Sequence, residues 1–201
     1  MEKEGVIYQR VHDFGKATDI IQTIAIYLIA LLVPTFLGQI LKGVFPATSI
    51  VVTKSQLIVG SIVNASLILA ATNLKGWVKI LGVVTMPSIS TVLSGYVFGT
   101  ASVFMIYMIP AIWVGNFALI YSYKYILVSK NKNYFLAGII GIIIKVAVIF
   151  GVFEILNLLG IFPVKLVKNL QTAMGLTQAI TATIGMLIAF IIYKLEISKI
   201  K

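Results

Sequence analysis

The stretch that decides the fold is YFLAGIIGIIIKVAVIFGVFEILNL, residues 134–158, which has only two charged side chains, Lys145 and Glu154. A helix rises about 1.5 Å per residue, so a run of this length crosses the roughly 30 Å hydrocarbon core of a bilayer. The run is continuously apolar, whereas strands of a membrane barrel are about ten residues of alternating character. It therefore predicts a transmembrane helix.

Further runs of the same kind lie on both sides of this stretch. They cover residues 18–40, 56–74, 80–98, 102–123 and 167–193. The first run is too long for the apolar core of a signal peptide, and no A-x-A-like cleavage site follows it closely, so we interpret it as a retained helix. We predict an all-α integral membrane protein: a bundle of six transmembrane helices in residues 18–194, an N-terminal segment 1–17 and a tail 195–201.

Composition excludes several other classes of protein. Of the 201 residues, 60% are hydrophobic and 11% charged, against about a quarter charged in soluble domains. This apolar content excludes disorder, and the lack of Cys excludes a disulfide scaffold and Cys-bound metals. His12 is the single histidine, so few imidazole sites are possible. The net charge of +10 does not indicate nucleic acid as a partner, because the basic residues lie between apolar runs.

The basic residues also predict the orientation of the bundle. One set of alternate gaps, with the two chain ends, contains Lys3, Arg10, Lys16, Lys75, Lys79, Lys124, Lys130, Lys132, Lys194, Lys199 and Lys201. The other set contains Lys42, Lys54, Lys165 and Lys168. Cytoplasmic loops carry the excess of Lys and Arg, so both termini are predicted to be cytoplasmic in a multi-pass protein of the cell membrane.

Two charges lie inside the apolar run that opens this section. Lys145 is about eleven residues into its helix, roughly 16 Å deep, where a Lys costs on the order of 3 kcal/mol. Glu154 follows nine residues later, about half a turn around the helix, so the two side chains cannot pair with each other. We expect each to find a partner on another helix or in a water-filled pocket. For Glu154, which is nearer the outer surface, simple solvation is the alternative. Lys145 has either a structural partner or a ligand.

Proline and polar residues mark the third and fourth runs. Pro87, followed by serines and a threonine, predicts a bend or break, which either lines a cavity or is satisfied by neighbouring hydroxyls. In the fourth run, Tyr107, Pro110, Trp113 and Asn116 lie near the middle. Trp113 is too deep for an interface belt, so it belongs either to the bundle core or to a ligand pocket. A belt is instead predicted for Tyr121, Tyr123 and Tyr125.

The sixth run carries two sets of residues at helical spacing. The outer set is Gln171, Gly175 and Gln178, and the inner set is Thr181, Gly185 and Ala189. Small residues at four-residue intervals favour close helix packing, which we predict for the inner set. The amides of the outer set either join helices or bind a polar ligand.

The order of these motifs resembles one membrane-protein family. Three segments carry the resemblance, in this order: Gly60-Ser61-Ile62-Val63-Asn64-Ala65, Met86-Pro87, and Pro110-Ala111-Ile112-Trp113-Val114-Gly115-Asn116. They are similar to the G-x-x-V-N-A, P and P-x-x-x-x-G-N pattern of substrate-binding S components of energy-coupling factor (ECF) transporters. Length and six helices agree with such a subunit over nearly the whole chain. No single motif is specific; the order and the spacing carry the resemblance.

The resemblance implies a subunit that captures a vitamin or related micronutrient from outside. Its partners would be a transmembrane coupling subunit and two cytoplasmic ATPases. This chain has no G-x-x-x-x-G-K-[ST] phosphate loop, so no ATPase activity of its own is expected. With no Cys, a single His and few carboxylates, the chain is not expected to be an enzyme. Residues 43–56 would close over the ligand, or are a connector. Small residues of the first helices would contact the coupling subunit, but Ala25 and Ala30 are five positions apart rather than four.

The candidate substrate-binding residues are Lys145, Trp113, Asn116, Gln178, Gln171, Tyr107 and Asn64. No metal, cofactor or catalytic residue is expected. If Lys145 contacts the ligand, the ligand is anionic or rich in carbonyl groups, because an ammonium only donates hydrogen bonds. Two other functions remain open: an ion-coupled transporter acting alone, although the halves show no internal repeat, and a membrane scaffold.

Overall fold

The computed structural model describes residues 5–11, 13, 15–46, 49, 55–94 and 99–200. Its α-helices are α1 (Lys16–Leu32), α2 (Gly38–Val44), α3 (Ser55–Asn73), α4 (Trp77–Ser94), α5 (Ile109–Ser122), α6 (Tyr134–Leu158), α7 (Val164–Met174) and α8 (Leu176–Ile200). Half of the predicted loop 43–56 (residues 47, 48 and 50–54), residues 95–98 of the third predicted span, and His12 lie outside the described residues. The structure therefore does not bear on the expectation that this loop covers a ligand.

The prediction of an all-helical, apolar bundle is confirmed for the described residues, which contain no strand. Five helical stretches are long and apolar enough to cross a membrane: Lys16–Leu41, Ser55–Asn73, Val103–Ser129, Tyr134–Leu158 and Val164–Glu196. The third predicted span corresponds to a shorter apolar helix, Trp77–Val92. These helices suggest a multi-pass membrane protein.

Three stretches of these helices depart from α geometry. Val33–Leu37 and Tyr123–Ser129 form π-helical turns, which continue α1 and α5, and Gly99–Met108 forms a 3-10 helix before α5. Pro110 consequently lies in the first turn of α5. A proline is tolerated there because its missing N–H has no partner within the helix. The sequence had placed Pro110 near the middle of one continuous helix.

Helices α3 and α8 form the central pair of the bundle and run parallel. Gly60 faces Thr181, Gly185 faces Asn64, and near the other end Asn73 donates to Glu196 at 3.0 Å. A Cβ on Gly185 would lie 2.6 Å from the Asn64 Cβ, so glycine permits this close approach. Thr181 and Ala189 are buried, which confirms the packing role predicted for the inner set of the sixth run, Thr181, Gly185 and Ala189.

Helices α5 and α6 pack against each other in antiparallel fashion. A Cβ on Gly115 would lie 3.2 Å from the carbonyl oxygen of Lys145, and a Cβ on Gly141 would lie 2.9 Å from Leu119. Ser122 closes the pair with a hydrogen bond from its hydroxyl to the Ala137 carbonyl at 2.8 Å. This contact brings the middle of α5 close to the turn of α6 that carries Lys145.

The N-terminal segment folds back onto one end of the bundle. The amide of Val11 donates to the Thr72 carbonyl at 2.9 Å, and the amide of Gly76 donates to the Ile7 carbonyl at 3.1 Å. Because Asn73 contacts Glu196 here, the described parts of both chain ends meet at this end. We call it the terminal end, and the opposite end the distal end.

Lys124 holds the N-terminal segment in place from inside the terminal end. Its side chain is 0% exposed, and its Nζ donates to the carbonyls of Gln9 at 2.5 Å and Leu74 at 2.7 Å. From the sequence, Lys124 is expected in a basic gap between apolar runs. Its neighbour Tyr123 is also buried, and so does not belong to the predicted interface belt.

Tyr121 and Tyr125 do face outwards, in a stacked row of aromatic rings with Trp77 and Phe117. Successive ring centroids in this row are 5.8, 5.9 and 6.1 Å apart. Half-exposed Trp and Tyr side chains of this kind are typical of the membrane–water interface.

Two predicted features differ in detail from the structure. Helix α4 continues through Pro87 without a break, and the hydroxyls of Ser88 and Thr91 donate to backbone carbonyls of α4 at 3.0 and 2.7 Å. The last predicted span is not one helix, because α7 ends at Met174 and Gly175, with φ −100° and ψ −95°, separates it from α8. Gln171 and Gln178 therefore lie on different helices.

Candidate functional site

A cavity of about 80 Å³ lies among the helices α3, α4, α5, α6 and α8. Its nitrogen-bearing lining side chains are Gln56, Asn64, Asn116, Lys145 and Gln178. Hydroxyl groups of Ser88, Thr91 and Thr181 and several aliphatic side chains complete the wall. An apolar cavity with a few polar groups that converge on it is the usual form of a small-molecule site.

Lys145 provides the formal charge of this cavity. The residue is 2% exposed, and its Nζ donates to the Asn64 Oδ1 at 2.5 Å. An ammonium has three N–H donors, and within the described part of the chain Asn64 is its hydrogen-bond partner. No Asp or Glu lies among the described lining residues. The cavity therefore contains one basic side chain, which has donors left to offer.

Asn64 connects Lys145 to the central helix pair. While its oxygen accepts from Lys145, its Nδ2 donates to the Gly60 carbonyl at 2.8 Å and to the Thr181 hydroxyl at 3.3 Å. The same hydroxyl donates to the Thr177 carbonyl at 2.8 Å. These bonds fix the orientation of the carboxamide, so that its oxygen faces the ammonium.

Asn116 is held by helix α4. Its Nδ2 donates to the Val84 carbonyl at 3.2 Å, one turn before Pro87, and both Asn116 and Pro87 line the cavity. The two alternatives that the sequence left open at Pro87 therefore occur together. Neighbouring polar groups bond to the backbone around the proline, and the proline also forms part of a cavity wall.

Trp113, Tyr107 and Gln171 do not line the cavity. The indole Nε1 of Trp113 donates to the Ser88 hydroxyl at 2.7 Å, so Trp113 supports the wall from behind. Tyr107 is 52% exposed. Gln171 lies on α7, where its Nε2 donates to Glu154 at 2.9 Å. The structure thus brings together Lys145, Asn64, Asn116 and Gln178 of the seven predicted residues.

Lys145 and Glu154 are separated, as the helical spacing predicted. Lys145 bonds to Asn64 on α3, whereas Glu154 bonds to Gln171 on α7. Each charge therefore has its partner on another helix, as expected. This finding leaves Lys145 without a carboxylate to neutralise it within the described bundle.

Sequence reasoning missed Gln56, which faces the cavity from the first turn of α3. Gln178 lies in the first turn of α8, and the parallel register of α3 and α8 brings both amides to the distal end. Neither side chain makes a hydrogen bond to another described residue. The rule that located Gln178, an amide inside an apolar run, applies equally to Gln56.

No group of three or more His, Cys, Asp or Glu residues that could hold a metal ion occurs in the described ranges. Comparisons of the chain with known protein families, with curated proteins and with solved structures give no match. The cavity itself is therefore the basis on which a function is proposed.

Proposed function

We propose that this protein is a substrate-capturing membrane subunit of an ECF-type importer, which takes up a vitamin or related micronutrient. In this proposal it spans the cell membrane six times with both termini in the cytoplasm, so that the terminal end is cytoplasmic and the distal end faces outside. The observation that carries the proposal is Lys145, a buried ammonium with unused donors in the wall of an intramembrane cavity. An intramembrane ionisable residue that lines a cavity is a functional-site hypothesis by default.

The arrangement of the motif residues supports this function. Asn64 and Asn116, which carry the resemblance to the S components, both line the cavity with Lys145. They come from different helices, α3 and α5, and converge with Gln178 of α8. Binding in this cavity requires no covalent chemistry, because these groups offer only charge and hydrogen bonds. Energy for import would come from a transmembrane coupling subunit and two cytoplasmic ATPases.

Size restricts how the ligand enters. The cavity of about 80 Å³ is smaller than the roughly 300–1,000 Å³ of typical pockets for drug-sized ligands. A vitamin therefore requires the distal wall around Gln56, Thr91 and Gln178 to open.

Affinity purification from the native membrane tests the proposed partners. The tagged chain should retain a membrane protein and two ATPases, and proteoliposomes with all four chains should take up the ligand only with ATP. The matched control is the same preparation with the ATPase phosphate loops inactivated.

An ion-coupled transporter acting alone is the alternative, with Lys145 as the titrating carrier. Uptake by proteoliposomes that contain only this chain, driven by an ion gradient, would establish this alternative and contradict the importer. If no ATPase co-purifies with the chain and neither proteoliposome preparation takes up the ligand, a scaffold function is the remaining alternative.

A further inference from the structure

The polar groups around Lys145 differ in how many of their hydrogen-bonding atoms have a partner within the protein. Both the side-chain oxygen and the side-chain nitrogen of Asn64 make hydrogen bonds within the protein, and the nitrogen of Asn116 donates to a backbone carbonyl. The Ser88 hydroxyl donates to Thr85 and accepts from Trp113. By contrast, two N–H donors of Lys145 have no partner in the described part of the chain. The unmet demand at Lys145 is for hydrogen-bond acceptors.

Charge points to the same chemistry. A buried ammonium without a counter-ion is strongly unfavourable in a low-dielectric interior, and an anion relieves this cost. The described lining contains no carboxylate, and Glu154 is bonded to Gln171 elsewhere on α6. A ligand that carries a negative charge would therefore complete the site, whereas a cationic ligand would raise its energy.

The volume of the cavity limits the part of the ligand that it can hold to a small chemical group. A cavity of 150 Å³ holds one benzene molecule in a known case, about twice the volume seen here. The 80 Å³ around Lys145 therefore accommodates fewer non-hydrogen atoms than a benzene ring. A carboxylate with one or two attached carbons meets this limit.

We propose that the cavity binds the carboxylate end of the ligand, with Lys145 as its counter-ion and Asn64 as a positioning residue that aims the ammonium. This inference rests on the proposed function and narrows its substrate class to compounds with a carboxylate. The two amides at the distal end, Gln56 and Gln178, contact the remainder of the ligand. Each offers both a donor and an acceptor, so they suit hydroxyl or carbonyl groups there.

Acetate is the probe for this proposal, because it is the carboxylate group with a single methyl. Acetamide has the same shape without the charge, and chloride at equal ionic strength controls for salt. Thermal unfolding of the detergent-solubilised chain is followed as each compound is titrated into the millimolar range, since ligands of few atoms bind weakly. Acetate should raise the unfolding temperature in a saturable manner and at lower concentration than chloride, because a carboxylate accepts several hydrogen bonds. Acetamide should not raise it.

The variant Lys145→Met removes the charge and keeps an unbranched side chain. It should weaken acetate binding by at least about tenfold, because a hydrogen bond to a charged group contributes about 1.5–3 kcal/mol. The control Lys132→Met should leave the response to acetate unchanged, because Lys132 is exposed and does not line the cavity. The comparison of acetate with acetamide needs no variant, so it remains informative if Lys145→Met does not fold.

Failure of this inference can be distinguished from failure of the proposed function. An equal response to acetate, acetamide and chloride would overturn the carboxylate assignment. Retention of an uncharged small molecule together with the ATPases would also overturn it, while the importer proposal would stand. A saturable response to acetate without any ATPase partner would support the carboxylate site and contradict the importer.

Discussion

Lys145 on α6 and Asn64 on α3 are joined by a hydrogen bond of 2.5 Å between the ammonium and the carboxamide oxygen. Both residues are 2% exposed. This bond links the antiparallel pair α5–α6 to the parallel pair α3–α8. It also determines where the charge of the cavity is held, so its removal affects both stability and binding.

Replacement of Asn64 by Leu should destabilise the protein by about 3 kcal/mol, because the ammonium loses its partner inside the bundle. Replacing both partners, in Asn64→Leu with Lys145→Met, should recover most of this loss, since no buried charge then remains. Equilibrium unfolding in detergent measures the four free energies of the cycle. A double variant whose loss equals the sum of the two single losses would show that the two side chains do not interact.

Substitution of Gly185 by Ala tests the packing of α3 against α8. The new Cβ would meet Asn64 Cβ at 2.6 Å and the Ala65 amide nitrogen at 2.8 Å, so the helices must separate. We expect a loss of about 1–3 kcal/mol in the free energy of unfolding. The control is Gly151→Ala in α6, where nothing lies within 4 Å of the added carbon. It should be neutral or stabilising by up to about 1 kcal/mol, and equal losses in both variants would contradict the close contact.

The variant Trp113→Phe tests whether Trp113 only supports the cavity wall or also contacts the ligand. It removes the hydrogen bond of 2.7 Å to Ser88, so stability should fall by about 1 kcal/mol. Affinity for the ligand should change by less than about twofold, because Trp113 does not line the cavity. Calorimetry with the co-purified ligand measures the affinity. A loss of affinity greater than tenfold would instead support the place in a ligand pocket that the sequence left open for Trp113.

The change of Lys124 to Met should release the N-terminal segment from the terminal end. The amides of Val11 and Gly76 report on this segment, because they bond to Thr72 and Ile7. Their hydrogen exchange should accelerate by about tenfold or more once the carbonyls of Gln9 and Leu74 lose the ammonium. The exposed Lys132, changed to Met, is the matched control. Unchanged exchange in K124M would show that the segment is held by other contacts.

The sequence predicted the class of the fold because continuous apolar runs depend only on local composition. The helices α3 and α6 begin and end within a residue of the predicted spans 56–74 and 134–158. The break at Gly175 was not predicted, because Gln171, Gly175 and Gln178 continue one helical spacing across it. The burial of Lys124 was also not predictable, since it depends on carbonyls of Gln9 and Leu74, far away in the chain.

Part of the candidate site followed from the sequence for a physical reason. Lys145, Asn116 and Gln178 are polar residues inside apolar runs, and burial in a membrane requires such groups to find partners. Which partner each one finds depends on how the helices pack. For that reason the sequence could not tell that Gln171 pairs with Glu154, or that Trp113 donates to Ser88 behind the cavity wall.

Mass spectrometry of small molecules that co-purify with the chain tests the central claim most directly. Wild-type protein and the Lys132→Met control should each retain one organic compound in near-equal molar amount. Lys145→Met, purified in parallel and shown to be folded, should retain none of it. Retention of the same compound by the Lys145→Met variant, or of no compound by any of the three, would contradict ligand capture at Lys145.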